Sequence, residues 1–344
     1  MKKKQSVFIA LCASAALLLG ACGGGGGQQA ASGGTNQEKD TTYVVKVSYE
    51  NQPGEPIDLA ANEWKRIAEE KSGGKLKLEL YPSSALGSKT DVIEQGKLGG
   101  NVVQIADASF LADYAPDIGI ISAPYLTEDF DQLLRLTKSD WFTGLDKELQ
   151  GKGLHIVSTN WIYGERHLIA KKEVKTPADL AGMKIRVPNN KLQIAAIEKM
   201  GATPTPMPLG DVYPAVAQGV IDGMENPLPV IYGSKVYENA KFVSLTGHMK
   251  MLIQWVAGQK YIDTLPPEVL AMLEESADEA GEFLNKKVAE NDQKTLDDLK
   301  ANGVTVTEVD QAAFREAVKP VYSEFSEWSP GLHEKVEKII QEGK

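Results

Sequence analysis

The stretch from residue 184 to residue 227 constrains the fold more than any other part of the chain. It begins with Lys184–Val187, a short run that alternates apolar and charged side chains and is typical of a strand. Pro188 ends this strand, because the residue before a proline is held extended and proline has no N–H to donate to a sheet. Apolar residues at helical spacing follow, and Gly201 ends that helix. The stretch therefore predicts strand and helix in alternation.

The second half of the stretch continues this alternation. Thr203–Met207 contains two prolines and is predicted to be extended and stiff. Asp211 is predicted to cap a second helix, and Val220–Ile221 is predicted to form the next strand, with Asn226 just beyond it. Open α/β sheets bind their ligands beyond strand ends. Arg186 and Asn226, both at predicted strand ends, are therefore candidate binding residues.

The earlier part of the chain shows the same order of elements. Strand, helix, strand, helix, strand is the pattern of a parallel sheet covered by helices, and Asp107 directly follows the third strand. Two further strands are predicted before residue 171, with a crossing between domains in the turn that joins them. The predicted elements are strands 43–49, 76–80, 102–106, 154–159 and 167–170, and helices 59–71 and 90–97.

One segment near the C-terminus is unusually long for a helix. Between Pro267 and Asn302 the chain is rich in Glu, Lys and Ala and has no internal proline. Its apolar residues recur at helical spacing, which predicts a helix longer than most in globular proteins. Shorter helices are predicted near 311–328 and 333–341.

The N-terminus has the features of an export signal. Lys2–Lys4 are basic, and the apolar run Val7–Leu19 is shorter than the ~20 residues that span a bilayer. Leu19-Gly20-Ala21-Cys22 is similar to a bacterial lipobox, which predicts cleavage of residues 1–21 and lipidation of Cys22. A plain secretory signal with an incidental cysteine is the alternative. Residues 22–42, rich in Gly, Gln and Ser, are predicted to be a flexible tether.

Composition excludes several classes of function. Cys12 and Cys22 are the only cysteines in the sequence, so the predicted mature fold has neither a disulfide nor a thiol nucleophile. The whole chain has a net charge of −10, and removal of the signal with its three lysines leaves −13 on the mature protein. Nucleic-acid binding is therefore not expected. The four histidines lack metal-ligand spacing, and no phosphate loop or nucleophile elbow occurs. We therefore expect no metal, no cofactor and no catalytic group.

Several spaced motifs together resemble one family. The chain is similar over nearly its whole mature length to the solute-binding proteins of tripartite ATP-independent periplasmic (TRAP) transporters, the DctP-like group that captures organic acids. The motifs that carry this resemblance, in chain order, are Tyr-Pro-Ser-Ser-Ala-Leu-Gly at 81–87, Ala-Pro-Tyr at 123–125, Gly-Glu-Arg at 164–166, Lys-Ile-Arg-Val-Pro-Asn-Asn at 184–190, Met-Gly-Ala-Thr-Pro-Thr-Pro-Met-Pro at 200–208 and Gly-Val-Ile-Asp-Gly-Met-Glu-Asn-Pro at 219–227.

The resemblance implies an α/β, two-lobed periplasmic-binding-protein-like fold with a long helix spanning both lobes. Lobe one would be 43–163 plus 252–291, and lobe two 164–251 plus 292–344. The function implied is extracytoplasmic capture of an organic acid, either a sugar acid or a C4-dicarboxylate. The acid would be delivered to a small and a large TRAP membrane subunit. An exported α/β enzyme acting on organic acids and a ligand-binding sensor without transport are the alternatives.

The same resemblance implies roles for individual residues. Arg186 would clamp the ligand carboxylate, since a guanidinium offers a planar fork that matches the two carboxylate oxygens. Arg166 matches the second arginine of the family's pocket, and Asn226 matches an amide that donates to the same ligand. Trp161 and Tyr163 are predicted either to wall the pocket or to pack in the core.

Asp107 matches a position where the family often has an acid facing the ligand. An ionised Asp107 would repel a second carboxylate, whereas it could accept hydrogen bonds from ligand hydroxyls. The resulting hypothesis is a hydroxylated monocarboxylate, such as a uronate or aldonate, preferred over succinate or malate. Two arginines could equally serve two carboxylates. Lys89 stands where some sialic-acid-binding relatives look acidic, which argues against that ligand.

Overall fold

The computed structural model describes residues 41–342, so the predicted signal peptide, Cys22 and nearly all of the predicted tether lie outside the described residues. The strands are β1 (Tyr43–Ser48), β2 (Leu76–Tyr81), β3 (Val102–Ala106), β4 (Leu154–Ala170), β5 (Lys184–Val187), β6 (Thr203–Pro206), β7 (Gly223–Pro227), β8 (Phe242–Gly258) and β9 (Thr305–Thr307).

Helices cover the sheet. The α-helices are α1 (Pro56–Lys71), α2 (Lys89–Lys97), α3 (Ala108–Leu111), α4 (Phe130–Leu136), α5 (Asp140–Gly151), α6 (Lys191–Lys199), α7 (Val212–Ala217), α8 (Leu228–Gly233), α9 (Gln259–Ile262), α10 (Pro267–Asn285), α11 (Val288–Ala301), α12 (Gln311–Val318) and α13 (Leu332–Glu342). Short 3₁₀ segments lie at Pro116–Ser122, Pro177–Leu180, Leu209–Asp211, Val236–Glu238 and Lys319–Ser323.

All the strands described belong to one mixed sheet, in the order β2-β1-β3-β8-β4-β7-β5-β6, with β9 beside β8. Strands β1, β2 and β3 are parallel at one end, and β5, β6 and β7 are parallel at the other. Strands β4 and β8 join the two groups and run antiparallel to each other. The sheet therefore has two parallel halves connected by two shared strands.

The shared strands differ most from the sequence prediction. Strand β4 is a single strand of 17 residues, where two short strands at 154–159 and 167–170 were predicted. Strand β8, also 17 residues long, was not predicted at all. The pairing of β4 with β8 shifts register four times along its length. Each shift interrupts the in–out alternation of side chains that identifies a strand in a sequence.

Buried side chains form separate clusters on the two faces of each half. Around β1, β2 and β3, one cluster is centred on Trp64, Trp161 and Trp255, whose rings lie 5.1–5.9 Å apart, and a second lies beneath α4 and α5. Around β5 and β7, one cluster lies beneath α6 and α12 and another beneath α7 and α8. Two halves, each with its own cores, confirm the predicted two-lobed α/β fold.

The long predicted helix spans both halves as two consecutive helices. Helix α10 packs on α1 and β4, whereas α11 packs on α8 and β9. Lys286 closes α10, and Lys287, at φ −113° and ψ −4°, departs from helical geometry before α11 begins. A single unbroken helix was therefore a wrong prediction. The break contains neither proline nor glycine, so helix propensity gives no sign of it.

Two local predictions were also wrong. The strand predicted at Val220–Ile221 begins three residues later, at Gly223, as β7, so Asn226 stands inside a strand rather than beyond one. The helix predicted over 311–328 ends at Val318 and continues only as a 3₁₀ segment. The lobe boundaries stay a prediction. Helix α13, which was predicted to belong to lobe two, packs on α4 of the first half.

Candidate functional site

A polar cavity lies where the ends of β1, β3 and β5 approach the middle of β4 and β7. The cavity is narrow, with a volume of about 10 Å³. Its lining residues are Glu50, Lys89, Ile105, Asp107, Tyr163, Arg166, Arg186, Pro188, Asn226 and Ile253. A wider cleft shares Glu50, Lys89, Arg186 and Pro188 with this cavity and leads past Phe110 and Met207 to solvent. The structure therefore brings five of the six sequence-predicted binding residues together.

Arg186 is a buried cation that has no ion-pair partner among the residues that the structure describes. Strand β5 places it at the cavity with 3% of its surface exposed. Its Nε and Nη2 donate to the carbonyl oxygen of Met207 at 2.9 and 2.7 Å. Across residues 41–342, no carboxylate oxygen lies within 4.0 Å of the guanidinium. Burial lowers the pKa of Arg186 to about 10, although the more distant carboxylates of Glu50 and Glu225 oppose this change. It remains charged at neutral pH.

Arg166, by contrast, is paired inside the protein. From β4 its Nε and Nη2 donate to the carboxylate of Glu225 on β7, with 2.8 Å between Nη2 and Oε1, and Nη2 also donates to the Glu225 carbonyl at 3.0 Å. Burial alone would raise the pKa of Glu225, but Arg166 and His248 lower it to about 2. Nη1 of Arg166 has no partner in the described part of the chain. Arg166 thus contributes little net charge to the cavity.

Glu225 was not among the residues predicted to form the site. It is completely buried in β7, a strand whose five residues are all buried. An acid in so apolar a position is a signal that a cation lies opposite, because a buried charge is rarely left unpaired. That cation, Arg166, is 59 residues away in the sequence.

Asn226 presents an unsatisfied amide. Only 3% of its surface is exposed, and its Oδ1 has no hydrogen-bond partner in the part of the chain that the structure describes. Leaving a buried polar atom unpaired costs ~1–3 kcal/mol, so such atoms usually have an explanation. A ligand hydroxyl donating to Oδ1 would supply the missing bond.

Asp107, Glu50 and Lys89 form a charged cluster on the wall of the cavity. Nζ of Lys89 lies 3.3 Å from Oε1 of Glu50 and 3.4 Å from Oδ2 of Asp107. It also stands 4.2 Å from the centre of the Phe110 ring. Glu50 was missed from the sequence, although it follows β1 as Asp107 follows the parallel neighbour β3. The carboxyl ends of parallel strands meet at one edge, which is the signal that could have identified it.

The two aromatic candidates are separated. Tyr163 lines the cavity, and its hydroxyl lies 3.5 Å from Nδ2 of Asn51. Trp161 is fully buried in the core of the first half, where its Nε1 donates to the carbonyl of Ala277 at 2.8 Å. Of the two roles left open for these residues, Tyr163 is placed at the cavity wall and Trp161 in the core.

Glu55, which connects to this wall through Asn51, should make stability depend on pH. Only 6% of the surface of Glu55 is exposed, and its carboxylate accepts from Asn51 Nδ2 at 2.8 Å. Burial raises the pKa of Glu55 from 4.5 to about 7, with the Asn51 bond opposing. The folded pKa is the higher one, so this group's contribution to stability is complete below pH 4.5 and is lost as the pH rises through 7.

Glu55→Gln should therefore raise the melting temperature at pH 8 by several degrees, since roughly 3 kcal/mol of ionisation cost is removed. Near pH 4 the variant and the wild type should unfold at similar temperatures. Thermal unfolding at both pH values measures this. Glu290→Gln, the same change at an exposed carboxyl on α11, is the control. Equal effects on the melting temperature at the two pH values would contradict a raised pKa at Glu55.

The chain is similar to known solute-binding proteins. A family model for bacterial extracellular solute-binding proteins, family 7 (DctP), matches residues 47–328. The 2,3-diketo-L-gulonate-binding periplasmic protein YiaO of Escherichia coli (strain K12) is 34% identical over 277 residues, which cover 80% of this chain and 84% of that protein.

Two solved structures of TRAP periplasmic solute-binding proteins are also similar. One, from Ochrobacterium anthropi with bound L-fuconate, has 48% identity and a TM-score of 0.86, covering 87% of this chain and all of that one. The other, from Actinobacillus succinogenes 130Z with bound L-galactonate, has 42% identity, the same TM-score and the same coverage.

A two-lobed α/β fold with a polar cleft between its two groups of strands is the architecture of a solute-binding protein. This chain belongs to the DctP family of bacterial extracellular solute-binding proteins, the group that serves TRAP transporters. The relatives just described are binding proteins rather than enzymes. Among residues 41–342, no helix is both long and apolar enough to cross a membrane.

Proposed function

We propose that this protein captures a hydroxylated monocarboxylate of the sugar-acid class and delivers it to the small and large membrane subunits of a TRAP transporter. The observation that carries the proposal is Arg186, a buried guanidinium that no carboxylate of the described chain neutralises. A ligand carboxylate would supply the missing negative charge. It would accept two parallel hydrogen bonds from the planar fork, which gives orientation as well as affinity.

The charges around the cavity favour a ligand with a single negative charge. Arg166 and Glu225 neutralise each other, so Arg186 remains as the uncompensated cation on that side. One carboxylate neutralises it, and a second would have no equivalent partner. Glu225 already holds two of the three nitrogens of Arg166 and neutralises its charge, so a second ligand carboxylate would find only Nη1 there.

The opposite wall favours hydroxyl groups. Two carboxylates, those of Glu50 and Asp107, lie beside one cation, Lys89. The cluster therefore has a net negative charge. Carboxylate oxygens accept hydrogen bonds from hydroxyls but repel another carboxylate. The Oδ1 of Asn226 is a further acceptor without a donor among the described residues. The ligands named for the relatives above, diketogulonate, fuconate and galactonate, are sugar acids with one carboxylate, which supports the proposal.

Calorimetric titration tests this proposal. L-Fuconate, L-galactonate and D-glucuronate should include a tight ligand, and succinate and malate should bind at least about tenfold more weakly than the best of them. Tighter binding of the C4-dicarboxylates would contradict the monocarboxylate assignment. Incubation of the protein with its best ligand should return the ligand unchanged, whereas turnover would favour the exported-enzyme alternative.

We also propose export and lipid anchoring through Cys22, on the basis of the Leu19–Cys22 sequence. Cys22→Ser should abolish incorporation of labelled fatty acid, because the thiol is the acylation site. Cys12→Ser is a matched control, since Cys12 lies within the predicted signal and should not affect labelling. Label on the Cys22→Ser protein, or a mature N-terminus well beyond Cys22, would contradict the anchor.

A further inference from the structure

We infer that Glu50 and Lys89 together decide whether the site accepts a second carboxylate on its ligand. Glu50 would exclude sugar diacids by occupying Lys89, the lysine among the described lining residues of the cavity and cleft. This inference rests on the proposed function, because it concerns selectivity among sugar acids in the same cavity. It starts from the position of Lys89, whose side chain is 9% exposed at the start of α2 and lines both the cavity and the cleft.

Lys89 is shared between two carboxylates rather than bound tightly to either. Its Nζ lies 3.3 Å from Glu50 and 3.4 Å from Asp107, and both distances exceed the ~2.7–2.9 Å of a strong charge-assisted hydrogen bond. An ammonium has three donors. Lys89 could therefore donate hydrogen bonds to a ligand carboxylate if the local charge allowed that carboxylate to approach.

The two acids beside Lys89 are not equivalent. Asp107 also caps α3, accepting from the backbone N–H of Ser109 at 3.1 Å and from the Ser109 hydroxyl. Glu50 makes no such bond within residues 41–342, and Lys89 is its ion-pair partner there. Glu50 is also the more exposed of the two acids, at 21% for its side chain. Its carboxylate therefore contributes to the charge of the cavity without supporting a helix.

The sign of the local charge then sets the selectivity. With Glu50 and Asp107 both present, the cluster has one negative charge more than Lys89 neutralises, and a second ligand carboxylate is repelled. Removing the Glu50 charge leaves Lys89 and Asp107 balanced and releases lysine donors for that carboxylate. Removing the Lys89 charge leaves two acids unopposed and strengthens the repulsion. The two substitutions should therefore change the preference in opposite directions.

The experiment compares acids that differ only at their last carbon. L-Galactonate and galactarate share a hydroxyl configuration, with a hydroxymethyl group in the first and a carboxylate in the second; D-gluconate and D-glucarate are the second pair. Titration calorimetry at pH 7.5 gives the ratio of dissociation constants, diacid over monoacid, for each pair that binds. We expect a ratio of about ten or more for the wild type, a fall of about tenfold in Glu50→Gln, and a rise in Lys89→Met.

Controls separate this inference from a general charge effect. Glu94→Gln removes one negative charge from the outer face of α2, where Glu94 contacts Lys97 and Tyr114, and should leave the ratio unchanged. Circular dichroism and melting temperature establish that each variant is folded. Lys89→Met keeps an apolar stem for contact with Phe110, so it also tests the inference if Glu50→Gln is unstable.

The outcomes distinguish this inference from the proposed function. If the wild type binds none of these sugar acids, fuconate and glucuronate included, the proposed function itself is wrong. If it binds a monoacid but Glu50→Gln and Lys89→Met leave the ratio unchanged, or shift it in the same direction, the proposed function stands and the role of Glu50 and Lys89 is overturned. A ratio below one in the wild type also overturns it.

Discussion

Arg186→Ala should abolish detectable ligand binding and leave the fold intact. Removing one partner of a buried, hydrogen-bonded charge pair typically costs ~2–5 kcal/mol, which is roughly a thirtyfold to several-thousandfold loss of affinity. Arg186→Lys should also bind poorly, because an ammonium cannot reproduce the planar fork that meets both carboxylate oxygens. Calorimetry with the best sugar acid measures both losses.

The unliganded Arg186→Ala protein should lose little stability. Burial lowers the pKa of Arg186 to about 10, which means that the folded, empty protein disfavours this charge, and its removal offsets the loss of the bonds to Met207. Thermal unfolding without ligand is the measurement. Arg66→Ala, at an arginine whose side chain is 58% exposed, is the control and should bind normally. Near wild-type affinity in either Arg186 variant would move the carboxylate site elsewhere.

Glu225→Ala should produce the largest loss of stability of any substitution considered above. It leaves Arg166 charged, buried and unpaired, and breaking a buried ion pair in this way typically costs ~3–5 kcal/mol. Replacing both partners with apolar residues, as Arg166→Met with Glu225→Leu, should recover much of that loss because no isolated charge remains. Urea unfolding of the single and double variants measures the coupling between the two residues.

The pH dependence gives an independent check on this pair. The folded pKa of Glu225 is about 2 against an ordinary 4.5, so its contribution to stability is present above pH 4.5 and is lost as the pH falls toward 2. The wild type should therefore lose stability over this range more steeply than the double variant. A Glu225→Ala protein within about 1 kcal/mol of the wild type, or a double variant no more stable than the single one, would contradict the assignment.

The site residues that could be predicted from the sequence are those marked by a local pattern or by a family motif. Arg186 is the penultimate residue of a short strand before a proline, and Asp107 follows a buried strand, so each could be placed at the cavity edge. Glu225 and Glu50 were missed because their importance depends on partners distant in the chain. Glu225 pairs with Arg166 across 59 residues, and Glu50 pairs with Lys89 across α1 and β2. No local pattern contains that information.

The fold was predicted with similar limits. The short parallel strands alternate with helices and were recognised, whereas β8 was not. Fourteen of its 17 residues are buried, and they include Ser244, Thr246, His248 and Gln254. Polar residues of this kind do not indicate a buried strand unless their partners are known. The break between α10 and α11 is likewise a tertiary feature, since each helix packs on a different half.

The two shared strands also bear on how the chain can fold. Strands β4 and β8 pair with each other along nearly their full length, from Leu154 with Gly258 to Ala170 with Phe242. Neither half of the sheet can be completed by a contiguous piece of the chain, because each half needs part of both strands. Neither half should therefore be obtainable as an independently folding fragment. The described chain should unfold in one cooperative transition rather than lobe by lobe.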